Sequence, residues 1–296
     1  MNSKKRLRDV SLFKYLPLKL KYPINFRKVK GRWPRLFFPK DYSDYIARDC
    51  FWGRHIKHAF LADKLEVRKY VEEKGFGDIL IPLLGSWDDA KKIDFNSLPD
   101  SFAIKCNHSC GMNIICYDKS KLDIEGARIQ LDEWMHQKHP VYYEQQYFHI
   151  IPMILAEAII PSDNDGMFPI DYKIHCASGA PIFIQVCIDR TENNTGHRLI
   201  YSPEWEKLPY TNHDYHYTDT NIPRPKCLDE MLHIASVLSE GLDYARVDLY
   251  AVGGTTIIFG EITLTPMGGW LTSFTQEGLD VMGKAIKNGK NAGKHK

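Results

Sequence analysis

The spacing of apolar and polar positions divides the chain into segments with distinct periods. Residues 55–74 carry Phe60, Leu61, Leu65 and Val71 at helical intervals and stop at Gly75, which predicts one helix. Three short apolar runs follow, at 79–84, 99–105 and 112–117, each of strand length. A helix is predicted over 122–138, then an apolar strand over 151–160 interrupted by Glu157. Strand patterns at 170–176 and 182–190 flank a turn at 177–181 and read as a hairpin. Residues 191–226 are polar and aromatic with little period, as in a long irregular excursion. An amphipathic helix over 228–242 leads into two alternating strands on either side of Gly253-Gly254. No internal repeat or low-complexity tract is visible.

That last hairpin, within 245–269, is the most informative stretch. A two-residue Gly-Gly loop favours a primed turn and would pair Val252 with Thr255 and Arg246 with Glu261. Alternation then turns Arg246, Asp248, Glu261 and Thr263 to one face. Asp248 and Glu261 become diagonal neighbours roughly 7–8 Å apart, near enough to share one cation. A structural ion pair with Arg246 is the other reading of the same residues. Upstream, the polar loop 106–111 joins two strands with Lys105 at its entry, an arrangement that can lay N–H groups and an ammonium on phosphate. Glu157 is either a water-contacting strand end or a specific hydrogen-bond acceptor. Asp171 and Lys173 share a strand face.

Charge sharpens the picture at the ends of the chain. Residues 1–40 hold 13 Lys or Arg against Asp9 alone, and 284–296 hold five Lys and no acid, whereas 41–283 hold 21 basic and 36 acidic residues. An acidic body repels nucleic-acid phosphate, so nucleic acid is set aside as a partner. The basic arm has two readings, a solvated lead-in or a peripheral anchor on the anionic inner face of a membrane. No apolar run of 18 residues or secretory pattern appears, and seven scattered cysteines suit a reducing compartment, so a cytoplasmic location is expected. Other motifs are incomplete. Cys106-x-His108-x-Cys110 lacks a second half for zinc, and 278–284 approaches a phosphate loop but carries Ala285 where a hydroxyl is needed and reads instead as the start of a terminal helix. His108, His149 and His175 read as structural histidines, His108 being the one beside the candidate phosphate loop.

The ordered set Asp63-Lys-x-x-Val-Arg68-x-Tyr-Val, Leu98-Pro-x-x-Phe-x-x-Lys105-x-Asn-His108, Asp171-Tyr-Lys173, Arg246-Val-Asp-Leu-Tyr250 and Gly260-Glu-Ile-Thr-x-x-Pro-x-Gly-Gly269 spans most of the chain. It resembles the TupA-like branch of the ATP-grasp superfamily, associated with teichuronopeptide and surface-polysaccharide synthesis. The resemblance implies an α+β fold whose two α/β lobes clamp a nucleotide: a basic arm and lead-in at 1–54, an N-terminal lobe at 55–155, a C-terminal lobe at 156–283 and a basic tail at 284–296. It implies that Lys64 and Lys105 contact ATP phosphates, Glu157 the adenine amino group and Asp171 the ribose region, with Asn107, His108 and Lys173 completing the nucleotide set. Asp248, Glu261 and Thr263 would ligate Mg2+, and Arg246, with Lys105, would serve the reacting phosphoryl group. The implied reaction joins a carboxylate to an amine through an acyl phosphate, the substrates being a uronic acid sugar and an amino acid. Two departures stand out: Thr263 replaces the usual Asn, and loop 107–111 has few glycines. A metal-dependent glycosyltransferase and a non-catalytic nucleotide-binding accessory protein are the competing functions, and Lys64 with Lys105 separates the ligase from both.

Overall fold

A computed structural model of the chain describes residues 17–138, 143–162, 168–189, 196–212 and 220–292. The expectations placed on 1–16, 139–142, 163–167, 190–195, 213–219 and 293–296 lie outside the described residues. From Leu18 the basic stretch is a helix, Leu18–Lys30 (α1), closed by Gly31 at φ +70°. Its Tyr22 and Phe26, one turn apart, are fully buried against the body. Tyr42–Trp52 (α2) follows, capped by Asp41, which accepts the N–H of Asp44 at 2.9 Å.

The single helix expected over 55–74 is broken into two, Ala59–Ala62 (α3) and Glu66–Glu73 (α4). Asp63 is the cause. Its carboxylate accepts the N–H groups of Leu65 at 2.8 Å and Glu66 at 3.3 Å, which a continuous helix would bond to its own carbonyls. The break sets Lys64 against the loop after the second strand, its backbone N–H donating to the Asn107 carbonyl.

The first sheet contains Leu83–Trp87 (β1), Phe102–Cys106 (β2), Asn113–Cys116 (β3) and Ile154–Glu157 (β4), antiparallel throughout in the order β1-β4-β2-β3. The run expected at 79–84 thus becomes a strand only from Leu83. In β2 the residues Phe102, Ile104 and Cys106 are buried with Leu131 of the helix Ile124–His136 (α5). Ala103 and Lys105 alternate to the opposite face, where Glu157 stands beside Ala103.

The second sheet contains Asp171–Ala177 (β5), Ala180–Ile188 (β6), His197–Tyr201 (β7), Ala245–Val252 (β8) and Thr256–Thr263 (β9), in the order β7-β6-β5-β8-β9, again antiparallel. β7 falls inside the excursion expected to be irregular; five residues beside a sheet edge leave too short a pattern to read. The back of this sheet, with Ile174, Val186, Val247 and Leu249, packs on the helix Leu228–Leu238 (α6) and on Leu61, Val67 and Val71. A third apolar cluster joins α1 and α2 to the last helix, Gln276–Ala292 (α7), over Phe183 and Tyr244 at one end of the sheet's front face. The middle of that front face, with Asp171, Lys173, Arg246, Asp248 and Glu261, is polar.

The closing hairpin departs from its expected register. Gly253 and Gly254 take the positive φ angles of a primed turn, and the Thr255 N–H bonds the Val252 carbonyl at 3.2 Å, yet the first strand pair is Val252 with Thr256. A bulge at Gly260 then shifts the pairing again. Asp248 faces Glu261 directly instead of diagonally, and Arg246 faces Thr263 instead of Glu261.

Candidate active site

The polar front of the second sheet is built from adjoining registers. His175 pairs with Arg246, Lys173 with Asp248 and Asp171 with Tyr250, so the odd residues of β5 stand beside the even residues of β8. Arg246 makes a forked contact with Asp248, Nε to Oδ1 and Nη2 to Oδ2, both at 2.6 Å. Its Nη2 also donates to Glu261 Oε1 at 2.9 Å and to the Thr263 hydroxyl at 3.0 Å, and that hydroxyl donates to Glu261 at 2.8 Å. The Lys173 ammonium bridges Asp171, at 2.7 Å, and Asp248. Burial alone would lower the pKa of Lys173; the carboxylates of Asp171 and Asp248 outweigh it, and the net shift is upward. The same contest, between burial and Asp248, raises that of Arg246.

From the first sheet come Lys105 and Glu157. The Lys105 ammonium pairs with Glu157 Oε2, while Arg68 of α4 donates to Oε1 at 2.9 Å and to the Ile81 carbonyl at 2.7 Å. Glu157 is therefore the buried-acceptor alternative, with two cations on its carboxylate. The Lys64 ammonium donates to the Ser109 carbonyl at the tip of the loop. Burial lowers its pKa, opposed by the charge of Glu261 in the second sheet and reinforced by that of Lys105 in the first. Asn107 and His108 are spent on the scaffold. The Asn107 amide donates to Asp63 at 2.9 Å and to the Ile151 carbonyl at 3.0 Å and accepts from the Met153 N–H at 2.7 Å; His108 Nε2 lies 3.1 Å from the Gln137 carbonyl. They shape the loop whose backbone surrounds Lys64.

Several neighbours escape sequence reasoning. Tyr147 lies in an aperiodic segment; burial pushes its phenol up, with the charges of Glu261 and Glu144 adding to the effect. Glu144 accepts from the Thr265 hydroxyl at 3.2 Å, and Gln146 donates to the same hydroxyl at 2.8 Å. Beneath Arg246, His175 is fully buried, bonded to the Tyr244 hydroxyl at 2.7 Å, and held to a pKa of about 3 by burial and then by Arg246. A neutral ring leaves the positive charge to the guanidinium.

The oxygen donors suit a divalent cation that is shared with a ligand. Among the described residues no group of three or more His, Cys, Asp or Glu could hold a metal alone. Asp248 and Glu261 nevertheless face one another, with the Thr263 hydroxyl alongside, and Mg2+ commonly takes one or two carboxylates and completes its shell with phosphate oxygens and water. The Asp248 side chain is 2% exposed and that of Glu261 47%, so Glu261 is the one open to an incoming group.

A family model described as TupA-like ATPgrasp matches residues 45–287. Solved structures similar to the chain include the ATP complex of D-alanine–D-alanine ligase from Bacillus anthracis, at 15% identity and TM-score 0.48, covering 80% of this chain and 68% of that one. The L-amino acid ligase from Bacillus licheniformis is similar at 13% identity and TM-score 0.48, covering 77% and 49%. The N5-carboxyaminoimidazole synthetase from Staphylococcus aureus matches at 11% and 0.44, covering 77% and 51%. The chain thus spans about half the length of the last two. No curated protein matches the chain in sequence. The assignment to a family rests on the family model alone.

Proposed function

The chain belongs to the TupA-like ATP-grasp family, and from that premise we propose that it is a cytoplasmic ATP-dependent ligase joining a carboxylate to an amine. The observation that carries this reading is the Arg246–Asp248–Glu261 constellation of the second sheet with Lys64, seated on the loop that follows Lys105 of the first, within electrostatic reach of Glu261. Cations from one side and carboxylates from the other are what a polyphosphate needs.

Each residue has a defined task. Lys64 and Lys105 hold phosphate oxygens, and Glu157, kept in place by Arg68, takes the adenine amino group. Asp171 and Lys173 stand on the ribose side, and the loop shaped by Asn107 and His108 covers the phosphates. Asp248 and Glu261, with Thr263 as a hydroxyl partner, would hold Mg2+, which when bound neutralises charge on the phosphate oxygens. A substrate carboxylate oxygen attacks the γ-phosphorus of ATP; ADP leaves and an acyl phosphate forms. The amine then attacks the acyl carbon, phosphate leaves with the electron pair of the single bond between that carbon and the phosphate oxygen, and the nitrogen gives up a proton. Arg246 steadies the oxygens that carry charge through both steps, its guanidinium fixed by Asp248. The substrates assigned here are a uronic acid sugar and an amino acid, joined during cell-surface polysaccharide assembly.

The test is incubation with Mg-ATP and panels of uronic acids and amino acids while ADP and phosphate are followed. Release that requires both a carboxylate and an amine is expected. Release of UDP from a sugar nucleotide with no substrate-dependent ADP overturns the ligase in favour of glycosyl transfer.

A further inference from the structure

The connection between α1 and α2 displays aromatic rings to solvent on a rigid frame. The segment Trp33-Pro-Arg-Leu-Phe-Phe-Pro-Lys40 is bounded by two prolines. Asp44, fully buried in α2, holds it at both ends: its carboxylate accepts the N–H of Arg35 at 3.0 Å and of Lys40 at 3.2 Å, and the Arg32 guanidinium at 2.6 Å. Leu36 turns inward onto the core formed with α2 and α7. With the base so fixed, Phe37 and Phe38 stand 78% and 85% exposed. Phe37 packs edge-on against the exposed Trp52, centroids 6.4 Å apart; Lys19 lies over Trp52 at 5.5 Å, and Arg27 over the exposed Trp33 at 4.8 Å. Two neighbouring, nearly uncovered phenylalanines on a braced loop are not what a solvated lead-in requires.

Charge around the rings points one way. Between 17 and 57 every exposed charged side chain is basic: Lys19, Arg27, Lys28, Arg35, Lys40, Arg54 and Lys57. The acids of this stretch, Asp41, Asp44 and Asp49, are buried and paired with arginines. Residues 1–16, which precede α1 in the sequence, carry five more basic residues against Asp9. Tryptophan and phenylalanine backed by lysine and arginine match the boundary between acyl chains and anionic headgroups.

We propose that the loop 33–40, with Lys19, Arg27 and Trp52 around it, is a membrane contact that seats the chain on a bilayer rich in anionic lipid. Phe37 and Phe38 enter the headgroup boundary and the basic ring meets the lipid charge. The contact proposed is a peripheral one; no described helix is long and apolar enough to cross a membrane. This assignment does not depend on the ligase reading.

The test is co-sedimentation of the full chain with vesicles of phosphatidylcholine alone or mixed with phosphatidylglycerol. Binding is expected only to the mixed vesicles, weakening from 0.1 to 1 M salt as the screening length falls from about 10 to about 3 Å. The double variant Phe37→Ser/Phe38→Ser, whose rings are outside the core, should bind at least about tenfold more weakly with unchanged thermal unfolding. A chain lacking residues 1–16 should keep the sensitivity to that double substitution. Equal binding by the double variant, no binding of the native chain, or equal binding to both vesicle types overturns the proposal. A double variant that instead dissociates a dimer of the chain, with vesicle binding unchanged, also overturns it and makes the loop a contact between copies.

Discussion

Glu261 is half-exposed and meets Arg246 and Thr263 through one oxygen, so little of the fold leans on it. Glu261→Gln should therefore lower ATP turnover on the order of 10²-fold or more while shifting the melting temperature by no more than about 2 °C. A variant with native turnover would remove the carboxylate from the proposed metal set. Histidines give the pH dependence. His175 is held at about 3 and His55 at about 4, in each case by burial first, with Arg246 adding for His175 and His58 among the neighbours that add for His55. Both lie below the ordinary value of 6.5 for an unfolded chain. Below that value the unfolded chain takes up protons that the native one refuses, so stability is complete above it and is lost as pH falls toward the folded values. At pH 5 the loss should be about 2 kcal/mol per histidine relative to pH 7. Denaturant midpoints at the two pH values measure it, and His175→Gln should remove about half; an unchanged difference would show that the ring is not buried neutral.

At the scale of the element, Gly260 decides which side chains meet. A Cβ there would lie 2.9 Å from the Asp248 carbonyl oxygen and 3.1 Å from the Tyr250 ring, so only glycine allows the bulge that brings Glu261 opposite Asp248. Gly260→Val is expected to cost about 1–3 kcal/mol in unfolding experiments and to lower turnover as far as Glu261→Gln does. Retained activity would show that the register is not what aligns the carboxylates. The same element marks the limit of what is legible beforehand. Alternation and the Gly-Gly pair are enough to place Arg246, Asp248, Glu261 and Thr263 on one face, but a bulge is a backbone event with no period and its register stays hidden. Asp63 is a comparable case: within an apolar rhythm that continues unbroken, one carboxylate takes two backbone N–H groups and splits the helix. Glu144 sits where the pattern says nothing, and only tertiary packing brings it to Thr265 at the end of the hairpin.

At the scale of the whole molecule, α3 packs on β9 of the second sheet while Lys64, just after it, sits on the loop of the first, and ATP bound there should tie the two together. Saturating Mg-ATP, at about 100 times its dissociation constant, should add about 2.7 kcal/mol to unfolding, read as a rise in melting temperature. Lys105→Ala should abolish most of that rise, and a full rise in the variant would exclude Lys105 from the phosphates. The positive groups Lys64, Lys173 and Arg246 already stand among the negative groups Asp171, Asp248 and Glu261. Within this small region the signs balance before any ion arrives. A chelator should therefore leave the melting temperature of the nucleotide-free chain where it was. Asp248 and Glu261 would hold a cation only by exchange, giving up the Glu261 contact to Arg246 or the Asp248 contact to Lys173. Arg246, still forked on Asp248, would then have the Nη2 that now meets Glu261 available for a phosphoryl oxygen, a coupling made from nothing more than a change of partner.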